Sequence, residues 1–144
     1  MINIDDLKNS YKRINKYLVE TPIVSCNALN EEFKANIYLK NEVEQLTGSF
    51  KIRGALSALS NLKNQGIKGV VAYSSGNHAQ GVSKAAQIFD MQAIIVMPED
   101  APSNKINKTK ANGAEVVLYK RHIESRENIA LQILNKEYIP KYLR

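Results

Sequence analysis

A lysine sits in the middle of the run Thr47-Gly48-Ser49-Phe50-Lys51-Ile52-Arg53-Gly54-Ala55, where small and hydroxylated residues surround one primary amine. Gly48 permits a tight turn. Ser49 is placed to cap the helix that the sequence predicts from about Ser49 to Asn64. Lys51 then falls in the first helical turn, where the positive end of the helix dipole disfavours another positive charge. Burial would act in the same sense, so the expectation is an amine with a lowered pKa. A neutral lysine amine is what condensation with a carbonyl compound requires; the plainer alternative is one more surface lysine.

A second run, Ser74-Ser75-Gly76-Asn77-His78, lies where an apolar strand hands over to a helix. Open α/β sheets bind ligands at the carboxyl ends of their strands. The helix that follows points free N–H groups and a positive dipole end at the same spot. Two hydroxyls, a glycine and an amide therefore gather where an anion is welcome, and a carboxylate and a phosphate suit it equally. There is no Gly-x-Gly-x-x-Gly fingerprint. A capped helix start with an ordinary His78 hydrogen bond is the competing reading.

The elements that must position these runs follow from periodicity. Asn3 caps a first helix with Asp5 and Asp6 in its early turn, and Ile4, Leu7, Tyr11, Ile14 and Leu18 form an apolar stripe that is core or interface. Thr21-Pro22 ends that segment; an extended piece, Ile23 to Ser25, a short helix, Leu29 to Phe33, and a strand, Ile37 to Asn41, lead to the lysine run. After Gly66 come a strand at Gly69–Ser74, a helix at Asn77–Phe89, a strand at Ala93–Met97, a turn at Pro98–Pro102, a helix capped by Ser103 and ending at Ala111, a strand at Glu115–Tyr119, and a helix at Ile123–Lys136. Strands alternating with helices at this spacing imply right-handed βαβ units and a parallel sheet, hence an α/β fold.

Composition removes several function classes. The chain has 144 residues, 44% of them hydrophobic, enough for a core. The net charge of +6 raises nucleic-acid binding, but the lysines are dispersed and no aromatics interleave with them, so nucleic acid is not an expected partner. With two histidines, His78 and His122, and one cysteine, Cys26, neither a histidine-rich metal site nor an internal disulfide is expected. Ser75 and His78 stand too close in sequence to be assigned to a Ser/His/Asp triad, and Glu99 and Asp100 read as turn residues beside Pro98. No apolar run is long enough for a membrane span, and the acidic start lacks a signal peptide's apolar segment, so the expected setting is cytoplasmic.

Taken together, the two runs closely resemble the fold-type II pyridoxal-phosphate enzymes, and within them the threonine/serine dehydratases (threonine ammonia-lyases) and their serine racemase relatives. Supporting matches are Thr21-Pro22, Tyr38-Leu39-Lys40, Val96-Met97-Pro98-Glu99-Asp100-Ala101-Pro102 and Gly113-Ala114-Glu115-Val116-Val117. Cysteine-synthase-like members resemble Ser-Val-Lys-Asp-Arg and Ser-Gly-Asn-Thr, and threonine synthases have Lys-Asp-Arg and Gly-Asn-Thr, so Ile52 and His78 favour the dehydratase branch. The resemblance implies a tryptophan synthase beta-like fold and pyridoxal 5'-phosphate as cofactor. It implies that Lys51 binds the cofactor covalently and takes the α-proton, that Phe50 packs beside the cofactor ring, and that Asn77 bonds its 3′-oxygen. Ser74, Ser75, Gly76, Asn77 and His78 would hold the substrate carboxylate, with Ser75 at the position of the opposite-face acid/base of racemases. The implied reaction removes the β-hydroxyl of L-threonine or L-serine and ends in a 2-oxo acid and ammonia, in isoleucine biosynthesis or threonine catabolism. No metal is implied, and the full-length family forms homo-oligomers.

Members of that family are about twice this size or more, built as two domains. By resemblance, residues 1–66 form the N-terminal part of the cofactor-binding large domain and residues 67–144 a small α/β domain. The rest of the large domain, with the glycine-rich loop that cradles the phosphate, has no counterpart here, so the chain reads as a truncated half that turns over little or no substrate alone. A non-catalytic remnant or a half that works with a partner is the alternative. Val43-Glu44 departs from the family pattern, as does Asp90, where relatives place a glycine that ends a helix in a left-handed turn.

Overall fold

A near-continuous apolar strand organises the second half of the chain. The computed structural model describes residues 3–135. Gln92–Pro98 (β4) is flanked by Gly69–Tyr73 (β3) and Glu115–Tyr119 (β5) in a parallel sheet of order β3-β4-β5. The register sets Gly69 against Gln92 and Ile94 against Glu115. Ala93, Ile95, Val96 and Met97 are all buried, as expected of a central parallel strand covered on both faces.

The alternation along these strands sorts the core into two layers. Ala93, Ile95 and Met97, with Val70, Ala72 and Val116, face one layer; Val96 and Tyr119, with Val71, Ile94 and Val117, face the other. The helices Asn77–Ile88 (α4) and Ser103–Ala111 (α5) pack together beside the first layer, and Arg126–Leu134 (α6) closes the second through Ala130 and Ile133. Consecutive crossovers on the same side are what right-handed βαβ connections give when the strand order runs steadily across a sheet.

Lys51–Asn64 (α3) buries Ile52, Ala55, Leu56 and Leu59, an i, i+3, i+4, i+7 stripe, against α4. Ile4–Ile14 (α1) lies on α3 and begins with a full capping box between Asn3 and Asp6. Its stripe divides: Ile14 is buried at 4% exposure, whereas Ile4, Leu7 and Tyr11 are 57–62% exposed. Farther on, Tyr17 packs edge-on against Phe89 with ring centroids 5.3 Å apart, tying this segment to the end of α4. Ile23–Ser25 (β1) and Tyr38–Lys40 (β2) pair antiparallel as a separate ribbon around the short helix Asn27–Phe33 (α2).

Several local expectations are corrected. Ser49 does not cap α3: the cap position is Phe50, without a side-chain bond, and the Ser49 hydroxyl is buried with no partner. Ser103 is likewise the first helical residue of α5 rather than its cap, because Pro102 takes the cap position with extended backbone and accepts the Lys105 N–H. The last helix starts at Arg126, where the Ser125 hydroxyl accepts the Asn128 N–H, and residue 136 lies outside the described residues.

Asp90 follows α4 with φ of +50°, the left-handed geometry that its family position leads one to expect. Replacing it with glycine removes the Cβ penalty of that region. Asp90→Gly is expected to raise stability by about 0.5–1 kcal/mol and Asp90→Ala to lower it, read as opposite shifts of the urea midpoint at constant slope.

Candidate functional site

Gly48 makes the turn into α3 with φ of +67°, and its N–H donates to the Gln45 carbonyl at 2.6 Å. Lys51 is the first residue of α3, with its ammonium 4.7 Å from the centroid of the Phe50 ring. The expected burial of the lysine is not found: Lys51 and Phe50 are both exposed, because the helix opens with these two side chains on its outer side while Ile52 turns inward to 0% exposure.

The Ser74-to-His78 run occupies the turn between β3 and α4. The Ser74 N–H extends the sheet by donating to the Val96 carbonyl at 3.1 Å, and the Gly76 N–H donates to the Ser74 hydroxyl at 3.3 Å. Gly76 is the helix cap, and no side chain caps α4, so its leading N–H groups are open to an anion. Ser75, Asn77 and His78 are exposed at this mouth.

One contact brings the two runs together. A Cβ built on Gly81 would lie 3.2 Å from both the carbonyl carbon and the carbonyl oxygen of Lys51, and 3.3 Å from the Ile52 nitrogen. The start of α3 and the second turn of α4 therefore meet backbone to backbone, which brings the lysine run against the helix that the serine turn opens. The electrostatics agree with this: partial desolvation by its neighbours first, and then the charge of Lys51, hold the His78 imidazole below its ordinary pKa of 6.5.

Two further contacts were not anticipated from the sequence. The Lys105 ammonium, from α5, donates to the Asn77 side-chain oxygen at 2.6 Å. That fixes the carboxamide with its NH2 end as the free donor. Arg53, inside the lysine run, grips Glu42 from the turn before it. Neither pair has a sequence signal, since partners 28 and 11 residues apart follow no helical or strand spacing.

The residues present fit an aldehyde cofactor carrying acidic groups. Among the described residues, the buried polar side-chain atoms without a partner are the Thr47 and Ser49 hydroxyls and the Gln80 amide nitrogen, and all three belong to the two runs or the helix turn just after the second. Buried orphans of this kind are rare enough to require an explanation, and a bound polar ligand is one. Among the described residues no three His, Cys, Asp or Glu side chains gather as metal ligands would, and no helix is long and apolar enough to cross a membrane.

Comparison with known proteins converges on the same chemistry. A family model described as pyridoxal-phosphate dependent enzyme matches residues 14–143. The L-threo-3-hydroxyaspartate ammonia-lyase of Saccharomyces cerevisiae is 43% identical over 129 residues, 89% of this chain and 40% of that protein. The L-threonine ammonia-lyase of Thermotoga maritima is 44% identical over 137 residues, 94% of this chain and 34% of that protein. The solved serine racemase of Dictyostelium discoideum superposes with a TM-score of 0.85 at 40% identity, over 94% of this chain and 44% of that one. The chain thus spans between 34% and 44% of the length of these relatives.

A proton titration followed by NMR is expected to place the His78 midpoint below 6.5, and Lys51→Met to move it upward without restoring it fully, since partial desolvation is the larger cause. Gly81→Ala must separate two backbones, and a destabilisation of about 1–3 kcal/mol is expected in urea unfolding.

Proposed function

The chain belongs to the pyridoxal-phosphate dependent enzymes, a family of lyases and racemases, and from that premise we propose that it carries the lysine-bearing part of a site for β-hydroxy-α-amino acids. Threonine, serine and 3-hydroxyaspartate, the compounds in the relatives' names, share an α-carboxylate, an α-amine and a β-oxygen substituent. The finer reading is dehydration and deamination of L-threonine and L-serine to a 2-oxo acid and ammonia. The observation that supports it is the backbone contact at Gly81, which brings the start of the lysine helix against the helix that follows the Ser74–His78 turn.

Each residue has a proposed task. Lys51 would hold pyridoxal phosphate through its amine, which also receives the α-proton. Bound there, the cofactor supplies an electron sink that stabilises charge at the α-carbon. Phe50, stacked near the amine, would wall one side of the cofactor. The NH2 end of Asn77 is free to donate to an oxyanion, in keeping with a bond to the cofactor's 3′-oxygen. Ser74, Ser75, Gly76 and His78, at the uncapped start of α4, would receive the substrate carboxylate. A neutral His78 adds a donor without adding charge. Ser75 is the candidate proton carrier on the face opposite Lys51.

Residues 1–66 are proposed as part of a cofactor-binding domain and residues 67–144 as a smaller domain. The seven glycines are dispersed rather than clustered, so the phosphate-holding loop is assigned to the larger part of the relatives' length that this chain does not match.

Mixing the chain with pyridoxal phosphate, reducing with borohydride and mapping the adduct by mass spectrometry tests the reading. The expected result is an adduct concentrated on Lys51 and lost in Lys51→Ala. Labelling spread evenly over the lysines would overturn it. Little or no 2-oxo acid is expected from threonine or serine with the chain alone, since each charged hydrogen bond missing from the phosphate costs about 1.5–3 kcal/mol of affinity. D-serine formed from L-serine, without a 2-oxo acid, would point to racemisation instead.

A further inference from the structure

We infer that Glu42 is a positioning residue for the lysine, acting through Arg53: the pair clamps the first turn of α3 and so fixes where the Lys51 backbone starts. The inference rests on the assignment of Lys51 as the cofactor-binding amine and extends it to Glu42, in the turn before the lysine run.

The first turn of α3 is poorly provided for by its own sequence. It carries two cations, Lys51 and Arg53, and no acidic residue, at the helix end where positive charge is disfavoured. It has no side-chain cap either. Glu42 supplies the missing negative charge from outside the helix. The Arg53 Nε donates to Glu42 Oε2 at 2.8 Å and Nη2 donates to Oε1 at 2.7 Å, a fork that fixes orientation as well as distance. The Thr21 hydroxyl, on a residue only 2% exposed, donates to the same Oε1 at 2.6 Å, and the Lys40 ammonium donates to the Thr21 carbonyl at 2.6 Å. The carboxylate is thus held from two sides, by Arg53 of α3 and by Thr21 just before β1, and Lys40 secures Thr21 in turn.

The clamp reaches Lys51 through the backbone. The Arg53 N–H donates to the Phe50 carbonyl at 3.0 Å, and that carbonyl belongs to the peptide leading into Lys51. On its other side the Lys51 carbonyl abuts Gly81. The lysine backbone is therefore fixed at both ends, by the ion pair before it and by α4 after it. Hydrogen bonding from Arg53, opposed by burial and aided by Thr21, holds the Glu42 carboxyl down at about 2, so the clamp stays charged throughout the neutral range.

Hydrogen exchange and lysine labelling on the full chain test this. Glu42→Gln and Arg53→Lys are each expected to speed exchange of the amides of residues 49–55 about tenfold while those of β4 change by less than about twofold. The charge-exchanged pair, Glu42→Arg with Arg53→Glu, should recover most of the protection. Thr21→Val, which keeps the ion pair, should give a smaller rise in the same amides and serves if a charge variant fails to fold. After pyridoxal phosphate and borohydride, the share of adduct on Lys51 should fall about tenfold in Glu42→Gln and Arg53→Lys. Leu62→Ala, which weakens the core away from the clamp, should leave that share unchanged. Unaltered exchange at residues 49–55, or an equal rise across the chain, would overturn the clamp. A selective rise at residues 49–55 in a chain whose wild type never favours Lys51 would keep the clamp and overturn the cofactor assignment.

Discussion

Two helices meet here without side chains between them, and the rest of the molecule is arranged to permit it. A methyl group added at Gly81 would stand 3.2 Å from the Lys51 carbonyl, tight enough that one of the two backbones has to give by a few tenths of an ångström. Small residues continue that interface: Ala55 on α3 and Ala79, Ala85 and Ala86 on α4 are all buried. Larger side chains, Ile52, Leu56 and Leu59, belong to the same buried core as Met97 and Ile95 of the central strand. The consequence is chemical as well as mechanical. Helices normally stand about 8–10 Å apart, and any larger separation would draw the amine at one helix start away from the hydroxyl turn at the other.

That closeness concentrates positive charge. The starts of α3 and α4 bring two positive dipole ends together, and Lys51, Arg53 and Lys105 gather around them. Such a cluster repels itself unless anions attend it. Glu42 answers Arg53 within the chain, and Asn77 offers Lys105 a neutral oxygen. Among the described residues, Lys51 meets the face of the Phe50 ring and no carboxylate. The charge left over, with the bare N–H groups of α4, suits an anionic ligand, in keeping with the proposed pairing of an amino acid with a phosphorylated aldehyde.

What the sequence discloses and what it hides divides by the range of the interaction involved. The Asn3 capping box, the turn at Gly48 and the strand–helix alternation after Gly66 are local, and the structure contains them all. Asp90 was read only as a departure from the family's glycine, and the structure gives it that glycine's left-handed backbone, which aspartate adopts more readily than most residues. Ser49 and Ser103 mislead because hydroxyls at helix starts are strong capping signals, and neither makes a capping bond here. Ser49 is buried at the α3 start, and the backbone of Pro102 already accepts the Lys105 N–H. The candidate site was read as two runs, but the pairs that join elements, Arg53 with Glu42 and Lys105 with Asn77, depend on tertiary placement that no periodicity encodes.

The ribbon of β1 and β2 shows how polar contacts substitute for a core. Every residue of both strands is exposed, and two strands alone are marginal in water. Its order must come from its ends. The Asn41 N–H donates to the Pro22 carbonyl at 2.9 Å just past the last strand pair, and the bonds from Lys40 to Thr21 and from Thr21 to Glu42 follow at once. Next to these, the buried Gln45 side chain bonds both the N–H and the carbonyl of Val19. The segment before the lysine is thus stitched to the segment after α1 by a row of hydrogen bonds ending at Arg53. Removing apolar surface from the ribbon would cost little, because little is buried there. Removing Glu42 would cost more, since the same carboxylate anchors the ribbon on one side and the start of the lysine helix on the other.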